Sequence, residues 1–211
     1  MKIKTKATRV LITAGPTREY IDPVRYISND SSGRMGFALA QAAQELGGDV
    51  TLIAGPVELE VPTGVKGIAV ATARGMHRAA LREAKKADII IMAAAVADWR
   101  PKGARRSKIK KGKKPLKLEL VENPDILSDL CRKRRDGQTI VGFALETADL
   151  EKNARRKLKR KGCDWIVANK AAAIGARVSK AILIGSDGKK VSLPRLPKED
   201  LAVVILSHVM C

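Results

Sequence analysis

The chain has 211 residues and a formal net charge of +19 at pH 7, with 45% hydrophobic and only 3% aromatic residues. This length can bury one substantial core, and no apolar run approaches the roughly 18 residues that a membrane-spanning helix needs. The low aromatic content argues against a surface that stacks on single-stranded nucleic acid.

Cysteine and histidine are too sparse to define a disulfide framework or a zinc site. Cys131, Cys163 and Cys211 form an odd set without a Cys-x-x-Cys pair, and the first six residues lack the apolar core of a secretion signal. We expect a protein of the reducing cytoplasm. His77 and His208 are expected to be ordinary surface or helix residues.

Strand and helix signals alternate from the start of the chain. Thr8 to Ala14 predicts a buried strand, and Met35 to Leu46 predicts a helix that ends at two glycines. A strand at Val50 to Ala54, a short strand at Lys66 to Ala71 and a helix at Arg74 to Lys86 follow. This alternation is typical of a mostly parallel sheet with helices on both faces.

A long polar loop, Thr13 to Gly36, separates the first strand from the first helix. A simple connection of this kind takes about two to six residues, and long polar loops at this position are usually functional. Ser31, Ser32 and Gly33 can donate hydrogen bonds and bring the backbone close to a phosphate at the helix amino end. The alternative is that Ser-Ser-Gly only caps the helix.

Ala87 to Ala95 is the most apolar predicted strand, and Asp88 to Ala95 is expected to be the central strand of the sheet. It runs into Ala-Ala-Ala-Val-Ala-Asp, and small side chains at a carboxyl edge leave room for a ligand or let helices pack closely. Asp98 can hold a magnesium ion indirectly, orient a base or cap a turn.

The basic segment, Arg100 to Lys114, contains nine basic side chains and no acidic one. We predict no helix or strand there and expect it to be mobile unless an anion orders it. It is either a flap over a phosphorylated substrate or a solvated linker. Leu116 to Leu120 alternates apolar and polar residues and predicts a half-exposed strand.

The rest of the chain continues the alternation and ends the sheet with an antiparallel hairpin around Asp187-Gly188. The predicted elements are a helix from Asn123 to Lys133, a strand at Ile140 to Leu145, a basic helix at Leu150 to Gly162, a strand at Trp165 to Ala168, hairpin strands at Ile182 to Ser186 and Lys190 to Leu193, and a helix at Lys198 to Val209. The fold class is therefore α/β: a three-layer α/β/α, Rossmann-like, mostly parallel sheet with an antiparallel hairpin edge near the C-terminus. We expect one nucleotide-binding domain, 1–211, with a mobile basic flap at about 100–115.

Several motifs carry a family resemblance that covers nearly the whole chain. The loop reads Thr-Ala-Gly-Pro-Thr-Arg-Glu, then Ile-Asp-Pro-Val-Arg-Tyr-Ile-Ser-Asn, then Ser-Ser-Gly-Arg-Met-Gly-Phe-Ala, and further matches lie at 93–100, 108–111, 123–127, 141–147 and 168–169. These motifs resemble phosphopantothenoylcysteine synthetase, also called phosphopantothenate-cysteine ligase. That family is the synthetase part of the bacterial bifunctional coenzyme A biosynthesis protein.

The resemblance implies that the chain joins 4′-phosphopantothenate to L-cysteine. A carboxylate does not react with an amine at neutral pH until its oxygen becomes part of a leaving group. The resemblance implies that CTP supplies this activation through an acyl-cytidylate, with pyrophosphate release and with magnesium screening the triphosphate. The preference for CTP over ATP rests on this likeness alone.

The resemblance also assigns roles to residues. Asn29 and Lys108 match catalytic residues: Asn29 donates to the acyl carbonyl, and Lys108 neutralises phosphoryl charge in the second step. Arg25, which matches an arginine that meets the substrate phosphate across a dimer interface, is expected to bind substrate together with Ala94 and Ala95. The expected nucleotide-binding residues are Gly15, Ser31, Ser32, Gly33, Met35, Asp98, Lys108, Phe143, Lys157, Lys161 and Asn169. No metal ligand is assigned.

The likeness brings expectations about partners. In many bacteria the synthetase is fused behind a flavin-dependent decarboxylase, so the chain is either a stand-alone enzyme or a part of such a fusion. We expect no flavin in this chain, a homodimer, and no membrane or specific nucleic-acid partner.

Two other classes of function are weighed against the ligase. A nicotinamide-dependent oxidoreductase needs a tight Gly-x-Gly-x-x-Gly after the first strand, whereas Ser31 stands in place of the first glycine after a long loop. A basic nucleic-acid-binding module is favoured by the charge alone. The charge is spread along the chain, as on a solvated surface.

Overall fold

The computed structural model describes residues 7–112, 115–170 and 175–210, so Lys113 and Lys114 of the basic segment lie outside the described residues. Its elements in chain order are β1 Arg9–Ala14, β2 Arg18–Asp22, β3 Arg25–Ser28, α1 Arg34–Glu45, β4 Asp49–Ala54, β5 Lys66–Ala69, α2 Ala73–Ala84, β6 Ile89–Met92, β7 Trp99–Pro101, β8 Leu120–Glu122, α3 Ile126–Arg132, β9 Thr139–Glu146, α4 Leu150–Lys161, β10 Trp165–Lys170, β11 Val178–Gly185, β12 Lys190–Pro197 and α5 Lys198–Val209. Within these residues no helix is both long and apolar enough to cross a membrane.

Eight strands form one sheet in the order β12-β11-β10-β9-β6-β1-β4-β5. Neighbouring strands from β5 to β10 are parallel, while β11 runs antiparallel to both β10 and β12. The predicted fold class is confirmed, including the central place of β6 and the antiparallel hairpin edge. The chain winds from β1 outwards to β5 and then returns to the other side of β1, so the order of winding reverses between β1 and β6.

The two faces of the sheet carry separate apolar clusters. Val10 and Ile12 of β1 pack with α1 and α5 on one face, whereas Leu11 packs with α2, α3 and α4 on the other. A strand that is buried on both faces needs apolar side chains at every position, which explains the unbroken run at Val10 to Ile12.

The long loop contains a β-hairpin that the sequence analysis did not predict. β2 pairs antiparallel with β3, and the Asp22 carboxylate accepts hydrogen bonds from the backbone N–H groups of Val24 and Arg25 at 3.0 Å each. The rings of Tyr20 and Tyr26 meet edge to face with their centroids 5.7 Å apart. This two-stranded ribbon is not part of the large sheet.

The predicted strand at Leu116 to Leu120 is wrong. The strand here is β8, which begins at Leu120 and pairs antiparallel with β7. Only Leu120 belongs to both spans, and Leu116 and Leu118 lie exposed outside any strand. The local alternation was misleading because β8 is defined by its partner strand rather than by a buried face. Because β7 includes Arg100 and Pro101, the prediction of no strand in the basic segment is also wrong at its start.

Candidate functional site

A cleft of about 470 Å³ lies where the winding of the sheet reverses. One wall is the turn at 29–35 before α1, and the floor is the segment 93–98 after β6. The carboxyl ends of β9 and β10 close the cleft with Phe143 and Asn169. Ligands of wound α/β sheets bind at this position.

The turn before α1 depends on glycine. Gly33 has a φ of 76°, and a Cβ on it would lie 3.1 Å from Val57 Cγ1 and 3.3 Å from the Cα of Gly15. The Ser31 hydroxyl accepts a hydrogen bond from the Gly33 N–H at 3.3 Å. Among the described residues no side chain caps α1, so its first N–H groups remain available to an anion.

The floor is held by hydrogen bonds to the loop that follows β1. Ala95 N–H donates to the Gly15 carbonyl at 2.9 Å, and Ala94 N–H donates to the Thr13 hydroxyl at 3.2 Å. The Asn29 side-chain amide donates to the Ala95 carbonyl at 3.1 Å. Asn29 is thus fixed beside the small alanines, at a point where an acyl group on the floor would meet an amide N–H.

A second chamber of about 560 Å³ adjoins the cleft and shares Ala94, Val96, Asp98, Phe143 and Lys157 with it. It continues along the start of α3 to Lys161. Each of the two spaces falls in the size range of small-molecule sites.

Two lysines of α4, one turn apart, line these spaces. Lys157 Nζ donates to the Phe143 carbonyl at 2.7 Å, and its burial lowers the pKa of Lys157, an effect to which nearby Lys161 adds. Lys161 forms an ion pair with Asp125, the N-cap of α3. Burial raises the pKa of Asp125, but hydrogen bonds from Lys161 and Ser128 outweigh it and leave that pKa below its usual value.

Arg25 lies next to the backbone that follows Lys108, and neither residue lines the cleft. The Asp22 side chain is 0% exposed, and its carboxylate accepts from Arg25 Nε at 3.0 Å and from Ile109 N–H at 3.0 Å. Arg25 also donates to the Ile109 carbonyl at 2.8 Å. The hydrogen bonds that Asp22 accepts, first from Arg25 and then from the Ile109 N–H, hold the pKa of Asp22 well below its usual value. The basic segment is therefore anchored to the β2–β3 hairpin, and Lys108 is exposed next to that anchor.

The cleft brings together most of the site residues predicted from the sequence. Those that line it are Asn29, Ser31, Ser32, Gly33, Met35, Ala94, Ala95, Asp98, Phe143, Lys157 and Asn169. Gly15 lies directly behind Gly33, and Lys161 lines the second chamber. Arg25 and Lys108 line neither space. These are positions; the roles of the residues stay predictions.

Three charged residues of the cleft were missed as site residues. Asp30 and Arg34 lie in the long polar loop predicted at Thr13 to Gly36, whereas Lys198 is the first residue of α5, near the end of the chain. No local signal identifies Lys198, because it reaches the cleft only through the packing of α5 beside α1.

The described residues contain no group of three or more His, Cys, Asp or Glu side chains that could hold a metal ion by themselves. Asp30 and Asp98 are the carboxylates on the cleft wall. Such a sparse donor set suits magnesium, which usually binds through one or two carboxylates and the phosphates of a substrate.

Known proteins share this fold and sequence. Residues 5–211 match the DNA/pantothenate metabolism flavoprotein C-terminal domain family. The coenzyme A biosynthesis bifunctional protein CoaBC of Vibrio cholerae is 47% identical over 204 residues, which cover 94% of this chain and 51% of that protein. The chain thus spans about half the length of the curated relatives that it matches.

Two solved structures extend the comparison. The crystal structure of the C-terminal domain of CoaBC superposes with a TM-score of 0.84 at 39% identity, covering 96% of this chain and 93% of the other. A Cab2 mutant in complex with phosphopantothenate-cysteine superposes with a TM-score of 0.75, covering 96% of this chain and 85% of the other. At 18% identity the second likeness shows the fold alone.

Proposed function

Because this chain belongs to the DNA/pantothenate metabolism flavoprotein C-terminal domain family, we propose that it is a ligase of coenzyme A biosynthesis. It joins 4′-phosphopantothenate to L-cysteine. The acid is first activated by CTP to an acyl-cytidylate, with release of pyrophosphate, and the amine of cysteine then displaces CMP.

One observation carries this proposal: the turn before α1 and the side-chain amide of Asn29 border the same cleft floor. The turn at Ser31 to Gly33 presents the amino end of α1, and Asn29 lies beside Ala94 and Ala95 on the same cleft. A carboxylate on the floor would face the α-phosphorus of a nucleotide whose phosphates lie on the turn. Positioning of two reactants and stabilisation of charge are the main demands of acyl activation.

The nucleoside occupies the second chamber in this proposal. Lys157 lines both that chamber and the cleft, Lys161 lines the chamber alone, and in this proposal both neutralise phosphate charge. The choice of CTP over ATP in this proposal follows from the family likeness.

Magnesium fits the residues present. Asp30 and Asp98 would hold the ion together with the nucleotide phosphates. When bound, it supplies charge neutralisation to the triphosphate.

The proposal includes a homodimer. The β2–β3 hairpin and β7 expose large apolar side chains, with Val24 57% and Trp99 49% exposed. A second copy that packs on this surface buries them and brings Arg25 towards the partner's substrate phosphate. Lys108 then enters its own cleft by movement of the basic segment.

The test is a pyrophosphate-release assay with phosphopantothenate and CTP, ATP or no nucleotide, with and without cysteine. We expect CTP to give pyrophosphate and an acyl-cytidylate detectable by mass spectrometry without cysteine, and the amide product with it. If neither nucleotide releases pyrophosphate, the proposed function is wrong.

A further inference from the structure

Lys198 is a buried cation that the proposed mechanism leaves without a role. It is the first residue of α5, only 6% exposed, and it lines the cleft beside the turn before α1. Lysine is rarely buried to this extent unless its charge is paired or hydrogen-bonded, and Lys198 also borders a cavity that a ligand could fill.

Arg34 lies close to Lys198. Burial lowers the pKa of Lys198, and the Arg34 guanidinium lowers it further, while Glu199 offsets part of this effect. Both residues line the cleft, and α1 and α5 pack side by side against the same face of the sheet. Two cations that line one cavity repel each other, and an anion bound near both is attracted by their combined charge.

The place of this pair within the cleft indicates which part of a nucleotide it meets. Arg34 and Lys198 also line a neighbouring cavity of about 720 Å³, bounded by Gln41, Leu59 and Arg177 among others. This cavity shares no lining residue with the chamber at Lys157 and Lys161. The pair therefore stands at one end of the cleft and the nucleoside chamber at the other, with the turn before α1 between them.

We propose that Lys198, together with Arg34, binds the terminal phosphates of the nucleotide and holds the pyrophosphate as it forms. The inference rests on the proposed function. Attack of the carboxylate oxygen on the α-phosphorus forms one P–O bond and breaks the bond to the bridging oxygen. The electron pair of the broken bond stays on the pyrophosphate, and the cations at that end compensate this added charge.

The test uses Lys198→Met, which removes the charge and retains the length, and Lys198→Arg, which retains the charge. Lys86→Met is the matched control, because Lys86 is exposed just before β6, at the edge of the sheet opposite the cleft. Isothermal titration calorimetry with magnesium measures the affinities of inorganic pyrophosphate, CTP and CMP for each protein.

We expect Lys198→Met to weaken pyrophosphate and CTP binding by roughly 10- to 100-fold, as for the loss of a charge-assisted contact, and CMP binding by less than about twofold. Lys198→Arg retains most of the affinity, and Lys86→Met changes none of the three. Equal weakening of CMP and pyrophosphate, or unchanged pyrophosphate binding, overturns the proposal. If Lys198→Met does not fold, Arg34→Met must show the same selective loss.

Failure of this inference and failure of the proposed function are distinguishable. If pyrophosphate binding depends on Lys198 but the wild type never releases pyrophosphate from CTP, the proposed site stands and the proposed ligase function is wrong. If the wild type turns over CTP but Lys198→Met binds pyrophosphate normally, the proposed function stands and the proposed site is wrong.

Discussion

Gly36 shows how closely α1 approaches the sheet beneath the cleft. A Cβ at this position would lie 2.5 Å from Ala14 Cβ and 3.0 Å from the Thr13 carbonyl oxygen. The absence of a side chain therefore sets the distance between β1 and the amino end of the helix. The same closeness places the turn before α1 over the floor of the cleft.

We expect Gly36→Ala to destabilise the protein by roughly 1–3 kcal/mol, because overpacking outweighs the better helix propensity of alanine. Urea unfolding measures the difference. Ala14→Gly in the same chain should recover only part of the loss, since the Thr13 carbonyl oxygen remains in the way. Gly103→Ala is the control, because a Cβ there meets nothing within 4 Å. An unchanged unfolding midpoint for Gly36→Ala would contradict this account of the packing.

Asn29 is the second residue that can be tested alone. Asn29→Asp removes the donor to the Ala95 carbonyl. It also places a negative charge where, in the proposed mechanism, the acyl oxygen gains one. Turnover should fall by about 100-fold or more, with a smaller change in KM. Steady-state kinetics measure both, and circular dichroism checks the fold. A variant with near-normal kcat rules out the assigned role.

At the scale of elements, the β2–β3 hairpin organises the basic segment. Arg105 N–H donates to the Ile21 carbonyl at 2.8 Å, and the Asp22 carboxylate accepts from Ile109 N–H. One buried carboxylate thus connects the turn of the hairpin, the Arg25 side chain and the residue after Lys108.

Asp22→Asn should free this segment, because the amide loses the charge-assisted bonds to Arg25. We expect trypsin to cut between residues 100 and 112 about tenfold faster than in the wild type. Asp187→Asn is the control, since Asp187 holds the Lys189 N–H in the remote β11–β12 turn. Equal rates in the wild type and Asp22→Asn would show that the anchor does not restrain the segment.

The amino edge of the sheet depends on an ion pair between β1 and the residue before β6. Asp88 accepts from Arg9 Nη2 at 2.7 Å and Nε at 3.1 Å, and the hydrogen bonds from Arg9 lower the pKa of Asp88 from 3.8 to about 2. A depressed folded-state pKa stabilises the protein above the unfolded-state value, and this contribution is lost as the pH falls from 4 through 2. Asp88→Asn should lower the melting temperature at pH 7 by about 2–4 °C, and the difference from wild type should shrink below pH 4. Calorimetry at several pH values measures it, with exposed Asp136→Asn as control, and a difference independent of pH would contradict the ion pair.

At the scale of the whole molecule, the charge of +19 acts on every approaching substrate. The proposed nucleotide and phosphopantothenate are both strongly anionic, so a basic surface accelerates their encounter with the cleft. Salt screens this attraction over about 10 Å at 0.1 M.

We expect kcat/KM for the nucleotide to fall by about tenfold between 0.02 and 0.2 M salt, with little change in kcat. L-cysteine is the internal control, because it carries no net charge near neutral pH and its KM should not depend on salt. If salt changes the kinetic constants of both substrates alike, or changes kcat, the positive charge does not accelerate the encounter of the nucleotide with the cleft.

Much of the fold follows from local patterns in the sequence. Apolar runs predicted β1, β4, β6 and β9, because strands buried on both faces must be apolar throughout. Asp187-Gly188 predicted the last hairpin, and the glycines after α1 predicted its end, since Gly47 adopts a φ of 84° that other residues avoid. The alternation of strands and helices then determined a parallel sheet and placed the loop before α1 at its carboxyl edge.

Only the tertiary structure decided which distant residues share the cleft. Lys198 enters it because α5 packs beside α1, and Lys108 stays outside it because Ile109 is bonded to Asp22. β7 and β8 pair although most of the basic segment separates them in sequence, and local alternation predicted the second of these strands too early in the chain. Periodicity and turn chemistry depend on residues that are neighbours in the chain. The contacts named here depend on how elements far apart in sequence pack, so a local pattern does not predict them.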